Sequence, residues 1–258
     1  MLFVCSCAGT GSGDSSTTGL ADSGVGVAST VVSDGFDRQI SVWAPKVNGS
    51  WPLVIAVHGL GGSRGNMSAI ATELASEGLA VFAPNYRSTE PEHRAEDLAC
   101  GYQHTMSFAD QYGGDPNKPM AWIGHSLGAA MVLLGGLAPP SAEGTIYEEC
   151  LTGALPQPDV IVAIAGCYYE FQDQVFEFDP SGWVNREADI ILVAGEEDTI
   201  CEPWQSEKAA EALREVGYHV SVVTIEGATH QTLVYHVLHS EADQVADIIL
   251  DAVKKAAS

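Results

Sequence analysis

Apolar residues fall in short, nearly unbroken runs at 53–57, 80–84, 120–123, 159–165 and 189–194, followed by an alternating run at 219–225. Runs of this length, rich in Val, Ile, Leu and Ala, predict strands of a parallel sheet that is covered on both faces. Between them, residues 66–77, 92–111, 127–136, 207–216 and 241–255 predict helices. Gly78, Gly113 and Gly217 follow three of these helices, where a left-handed residue commonly ends a helix. Ahead of this alternation, 30–33 and 38–44 predict an antiparallel hairpin around Asp34-Gly35. Strand and helix in alternation predict an α/β fold, a mostly parallel central sheet flanked by helices on both sides. In such sheets ligands bind beyond the carboxyl ends of the strands, so chemistry is expected in the turns that leave them.

Two stretches fit no regular unit. Residues 138–158 are rich in Pro and Gly, and 167–187 form a loop carrying Tyr168, Tyr169, Phe171, Phe176, Phe178 and Trp183. That loop reaches the carboxyl edge of the sheet. Its rings either roof an apolar pocket, with Tyr168 and Tyr169 as substrate contacts, or cover the core. No repeat or linker follows residue 30, so residues 30–258 are expected to be one domain. Residues 1–29 read as a leader: 1–8 are apolar, and 9–29 are dominated by Gly, Ser, Thr, Asp and Ala.

Of 258 residues, 46% are hydrophobic, enough for a sizeable single core. The 34 acidic side chains against 11 Lys and Arg give a formal charge of −23. So few cations argue against a nucleic-acid partner, because a phosphate backbone needs a basic face. No polybasic run suits an anionic membrane surface, and no apolar stretch has transmembrane length.

The six cysteines divide into Cys5 and Cys7 in the leader and Cys100, Cys150, Cys167 and Cys201 in the body. None forms a C-x-x-C pair. Cys100 and His104 stand four apart on a predicted helix without a second ligand pair, so no metal site is expected. Cys167 and Cys201 each follow a predicted strand at the same end of the sheet. A disulfide between them is expected if those strands are neighbours, with Cys100–Cys150 as the leftover pair. Two bridges suit an exported protein, and four buried thiols a cytosolic one. The leader resembles the end of a bacterial lipoprotein signal, with Val4-Cys5-Ser6-Cys7 as its attachment box. That resemblance implies a lipid anchor at Cys7 and export, either secreted or held at the cell surface.

Directly after the run 120–123 stands Gly124-His125-Ser126-Leu127-Gly128, a G-x-S-x-G motif that opens a helix. Its glycines permit a tight strand-to-helix turn that lifts the Ser126 hydroxyl clear of the backbone at the positive end of that helix. Over about residues 30–257 the chain resembles the α/β-hydrolase superfamily, in particular its serine esterases, lipases and dienelactone-hydrolase-like members. His58-Gly59-Leu60-Gly61-Gly62 matches the family's H-G-x-G-G turn. By this resemblance the amides of Leu60 and Leu127 form an oxyanion hole, with Gly61 as the alternative first donor. Gly195-Glu196-Glu197-Asp198 resembles the family's acid turn, which makes Asp198 the expected acid and Glu196 or Glu197 the stand-ins. His230, in Glu226-Gly227-Ala228-Thr229-His230, holds the position of the family's base. His125 and His58 are expected to brace their turns, and His236 and His239 to be surface or core residues.

A serine hydroxyl needs a base to take its proton and a carboxylate to orient that base. The expected activity is therefore carboxylic ester hydrolysis through Ser126, Asp198 and His230, with an acyl-enzyme intermediate and no cofactor. With little or no cap, the site is expected to be open to short-chain or aryl esters and to polyesters. A serine peptidase or amidase on the same fold and a non-catalytic binding protein are the alternatives. The sequence sets no oligomeric state.

Overall fold

The computed structural model describes residues 27–33, 39–90, 93–138, 157–171, 174–175, 177–235 and 240–258. Cys7, Cys150, the Asp34-Gly35 turn, Phe176, His236 and His239 lie outside the described residues, as does most of 138–158.

In chain order the strands are β1 (Val27–Ser33), β2 (Gln39–Pro45), β3 (Leu53–Val57), β4 (Ala80–Pro84), β5 (Met120–His125) and β6 (Val160–Ile164). They continue with β7 (Glu170–Phe171), β8 (Gln174–Val175), β9 (Asp189–Gly195) and β10 (Val220–Ile225). The helices are α1 (Ser68–Ser76), α2 (Arg94–Phe108), α3 (Leu127–Leu137), α4 (Pro203–Glu215) and α5 (Ser240–Ala256). Eight strands form one sheet in the order β1-β2-β4-β3-β5-β6-β9-β10. β1 and β2 run antiparallel at one edge, and every pairing from β4 through β10 is parallel. β7 and β8 form a separate two-stranded hairpin.

All five residues of β3, β4 and β6 are buried, as their unbroken apolar sequences predict. Successive side chains divide between two cores. Leu53, Ile55 and Val57 join Leu98, Tyr102, Val132, Leu133 and Leu213 beneath α2, α3 and α4. Val54 and Ala56 join Ile70, Leu74, Val245 and Ile249 beneath α1 and α5. Each large side chain fully withdrawn from water contributes about 1.5–3 kcal/mol, so this double-faced sheet is a stiff platform for the turns at its carboxyl edge.

β7 and β8 fall inside the stretch 167–187 that was expected to hold no regular unit, and β1, β5 and α4 also depart from the sequence reading. β1 begins at Val27 and not at residue 30, because its pairing with β2 continues to Val27 opposite Pro45. β5 runs through Gly124 and His125, both paired across the sheet, right up to Ser126. α4 begins at Pro203, one turn before 207, where proline's missing N–H and fixed φ suit a first helical position.

Candidate active site

β5 ends at His125 and α3 begins at Leu127, so Ser126 alone makes the reversal. Its backbone adopts φ 57° and ψ −121°. Ser126 and Ala165, just past β6, are the non-glycine residues with positive φ among those described. Such conformations cost about 1–3 kcal/mol each, and here the amides of both residues are tied into the sheet. Ser126 N–H donates to the Ile164 carbonyl at 2.9 Å, and Ala165 N–H to that of Val193 at 2.7 Å. The flanking glycines are required by close approach. A Cβ on Gly124 would run into the Gly128 carbonyl, and one on Gly128 into that of Val57.

Asp198 follows β9, and His230 follows β10, the next strand in the sheet. His230 Nδ1 donates to Asp198 Oδ2 at 2.8 Å. The other carboxylate oxygen, Oδ1, accepts the amides of Ile200 and Cys201 at 2.8 and 2.9 Å. Three donors thus hold one buried carboxylate, and the bond to Nδ1 leaves His230 Nε2 as the acceptor nitrogen. Glu196 and Glu197 are exposed; Glu196 accepts the Gly227 amide at 3.1 Å and thereby ties the turn after β9 to the loop after β10.

His230 and Ser126 line one open cleft of about 690 Å³ with Leu60, Asn66, Phe171, Ile200 and Tyr235. Among the described residues no hydrogen bond joins Ser126 Oγ to His230 Nε2. In unliganded sites this bond is often long and shortens when substrate is held.

The turn after β3 distinguishes between its amides. Gly61 N–H donates to Ser88 Oγ at 2.9 Å, and Gly62 N–H to the Gly59 carbonyl at 3.1 Å. Neither Leu60 N–H nor Leu127 N–H has a protein acceptor among the described residues, so these two amides are free to bind an anion. The loop after β4 holds this turn in place. The Tyr86 hydroxyl donates to the His58 carbonyl at 2.7 Å, and Asn85 Oδ1 accepts the Arg64 amide at 2.9 Å. Arg87 anchors that loop through a two-pronged bond to buried Asp97 on α2, both contacts at 2.8 Å. His58 stacks on Tyr86 with ring centres 4.4 Å apart, and burial holds its pKa below the ordinary value.

Tyr168 and Tyr169 do not line the cleft. Tyr168 is buried against Phe178, and Tyr169 stacks on Trp204 with Lys208 above its ring. Both follow Cys167, and Gln205 Oε1 accepts their amides at 2.9 Å, turning this part of the loop back onto α4. Phe171, Thr199, Ile200 and Gln231 occupy the cleft instead. Thr199 and Ile200 were within reach of the sequence, since they adjoin Asp198, whereas Ser88 carried no local signal. The expected disulfide joins Cys167 to Cys201, with Cα atoms 4.8 Å apart. Cys100 is likewise disulfide-bonded. Among the described residues no cluster of three metal-ligating side chains occurs, and no helix is long and apolar enough to cross a membrane.

Solved structures share this architecture over nearly the whole chain. Esterase B from Lactobacillus rhamnosis superposes with a TM-score of 0.75 at 16% identity, covering 90% of this chain and 86% of the other. The fold is that of the α/β-hydrolases. A thermophilic esterase from Thermogutta terrifontis, in its butyrate-bound form, gives a TM-score of 0.69 at 15% identity, with 88% and 94% of the two chains covered. A truncated carbohydrate esterase from gut microbiota gives 0.66 at 15% identity, covering 91% and 99%. By sequence, residues 37–113 match the profile of the family described as platelet-activating factor acetylhydrolase, isoform II. That segment contains the turn after β3 and the loop after β4 and stops before Ser126. No curated protein matches the chain by sequence.

Proposed function

We propose that the protein is a serine carboxylic ester hydrolase. The observation that carries this reading is that His230, bonded to buried Asp198, shares one cleft with Leu60 and a strained Ser126, while the amides of Leu60 and Leu127 are unpaired. Ser126 Oγ attacks the ester carbonyl while His230 Nε2 takes its proton, and Asp198 stabilises the imidazolium. The amides of Leu60 and Leu127 bind the developing oxyanion. The imidazolium then protonates the departing alcohol, and a water activated by His230 releases the acid.

Short-chain and aryl esters suit the cleft best. Leu60, Phe171 and Ile200 give it apolar walls, Asn66, Thr199 and Gln231 add polar ones, and it opens widely to solvent, which also admits a polyester chain. The same reading draws support from the butyrate bound by the Thermogutta esterase and from the tributyrin phosphonate that inhibits esterase B. The Cys167–Cys201 bridge supports export to an oxidising compartment.

Hydrolysis of p-nitrophenyl esters of increasing acyl length, by wild type and Ser126→Ala, tests the proposal. Turnover that peaks at short acyl groups and falls by at least about 10³-fold in the variant supports it. Equal turnover in both overturns the nucleophile. Silence in a folded wild type moves the reading to an amidase or to a binding role.

A further inference from the structure

His125 lies beside the nucleophile in the chain, is fully buried, and takes no part in the chemistry described above. Its two ring nitrogens are both engaged. Nε2 donates to the backbone carbonyl of His230 at 2.8 Å, and Nδ1 accepts the hydroxyl of Tyr235 at 3.1 Å. The His125 ring also lies 4.7 Å from that of His230 and 4.9 Å from that of Tyr235, edge-on to the latter. A single imidazole therefore grips the base loop twice, at residue 230 and again five residues later.

This grip joins two parts of the chain that are otherwise positioned separately. His125 ends β5 and is covalently followed by Ser126, whereas His230 leaves β10, three strands away in the sheet order. Asp198 orients the His230 ring but says nothing about its distance from Ser126. The carbonyl bond from His125 does, because it ties the backbone of the base to the residue that precedes the nucleophile.

We propose that His125 and Tyr235 are positioning residues that fix the separation of Ser126 and His230. This rests on the reading of that serine and histidine as nucleophile and base. The Tyr235 hydroxyl selects the tautomer: by donating to Nδ1 it leaves the proton on Nε2, the nitrogen that must donate to the His230 carbonyl. Burial and the neighbouring His230 push the His125 pKa down to about 3, so the ring stays neutral and the relay keeps one direction at working pH. Tyr235 also borders the cleft, so a substrate contact must be separated from a role through His125.

The experiment compares steady-state p-nitrophenyl butyrate kinetics, fluorophosphonate labelling of Ser126 and thermal midpoints for wild type, Ser126→Ala, Tyr235→Phe, His125→Leu, His125→Gln and the double variant His125→Leu/Tyr235→Phe. Tyr235→Phe is expected to lower kcat by about fivefold with KM changed less than about twofold. His125→Leu is expected to lower kcat by about 100-fold, the effect of a base displaced by a fraction of a bond length or more. His125→Gln, whose amide N–H can still reach the His230 carbonyl, is expected to recover most of that loss. In the His125→Leu background, Tyr235→Phe is expected to add nothing. Wild-type kcat in Tyr235→Phe would overturn the proposal, as would an undiminished Tyr235→Phe effect in the double variant. If His125→Leu fails to fold, Tyr235→Phe and His125→Gln carry the test, and a folded His125→Gln with kcat at or above that of wild type supports the relay only if Tyr235→Phe lowers kcat. Wild type that hydrolyses the ester but does not label at Ser126 would instead overturn the nucleophile assignment, and the relay with it.

Discussion

Ser126 is held in a backbone conformation that a serine adopts only under constraint, and its hydroxyl shares a cleft with a histidine already bonded to a buried carboxylate. Replacing Asp198 with Asn keeps the two backbone amides bonded to Oδ1 but turns a charged partner of His230 into a neutral one that can favour the wrong tautomer. Asp198→Asn is therefore expected to lower kcat by about 10³-fold or more while the thermal midpoint moves little, read by ester kinetics and a melting curve. Ser88→Ala frees the Gly61 amide to compete with Leu60 for the inward position. A fall in kcat of about tenfold at nearly constant KM is expected, and a change confined to KM would show that the turn is held by other means. The placement of Ser126, Asp198 and His230 just past three strand ends was legible in the sequence because each sits in a short local pattern there. Ser88 and Tyr235 were not, because their roles arise only when the β4 loop and the base loop fold against turns far away in the chain. Tyr168 and Tyr169 misled the reading because an aromatic pair signals burial without saying against what.

At the scale of elements, the acid turn is built from three attachments: β9 below it, Glu196 bonded to the base loop, and the Cys167–Cys201 bridge to the end of β6. Cys201 also donates its amide to Asp198, so the bridge borders the Asp198–His230 pair itself. Closing a loop of 34 residues contributes about 3–4 kcal/mol through the unfolded chain. Cys167→Ala/Cys201→Ala is expected to lower the thermal midpoint by several degrees and to reduce kcat, and dithiothreitol is expected to reproduce both effects in wild type. Unchanged melting and turnover under reducing conditions would remove the bridge from the account. The β3–β6 and β9 strands were read within a few residues because strands buried on both faces leave unbroken apolar runs, and β10 because an edge strand with one face on the core alternates. β1 was read three residues short because the small residues of an edge strand carry no such run, and α4 was read one turn short because Pro203 resembles a loop residue as readily as a helix start.

The molecule as a whole carries a formal charge of −23, so self-repulsion opposes the compact state and salt screens it. Its thermal midpoint is expected to rise between low salt and about 0.5 M sodium chloride, and a fall would contradict this. Acid acts through two buried imidazoles. Burial lowers the pKa of both His125 and His58 below the value of 6.5 they have when unfolded. The unfolded chain therefore takes up protons that the folded one refuses, and the stability these groups lend is present above pH 6.5 and lost as pH falls below it. Melting curves from about pH 8 to about pH 4 are expected to show the midpoint declining through this range, whereas a flat profile would mean that both rings protonate without cost. The central claim, that the carboxyl edge of this sheet is a serine hydrolase site, is tested most directly by reacting the native protein with a fluorophosphonate and locating the adduct by peptide mass spectrometry. The account predicts a single adduct on Ser126 that is lost on prior heat denaturation and strongly slowed in His230→Ala. No adduct on the folded protein, or one on another residue, would contradict it.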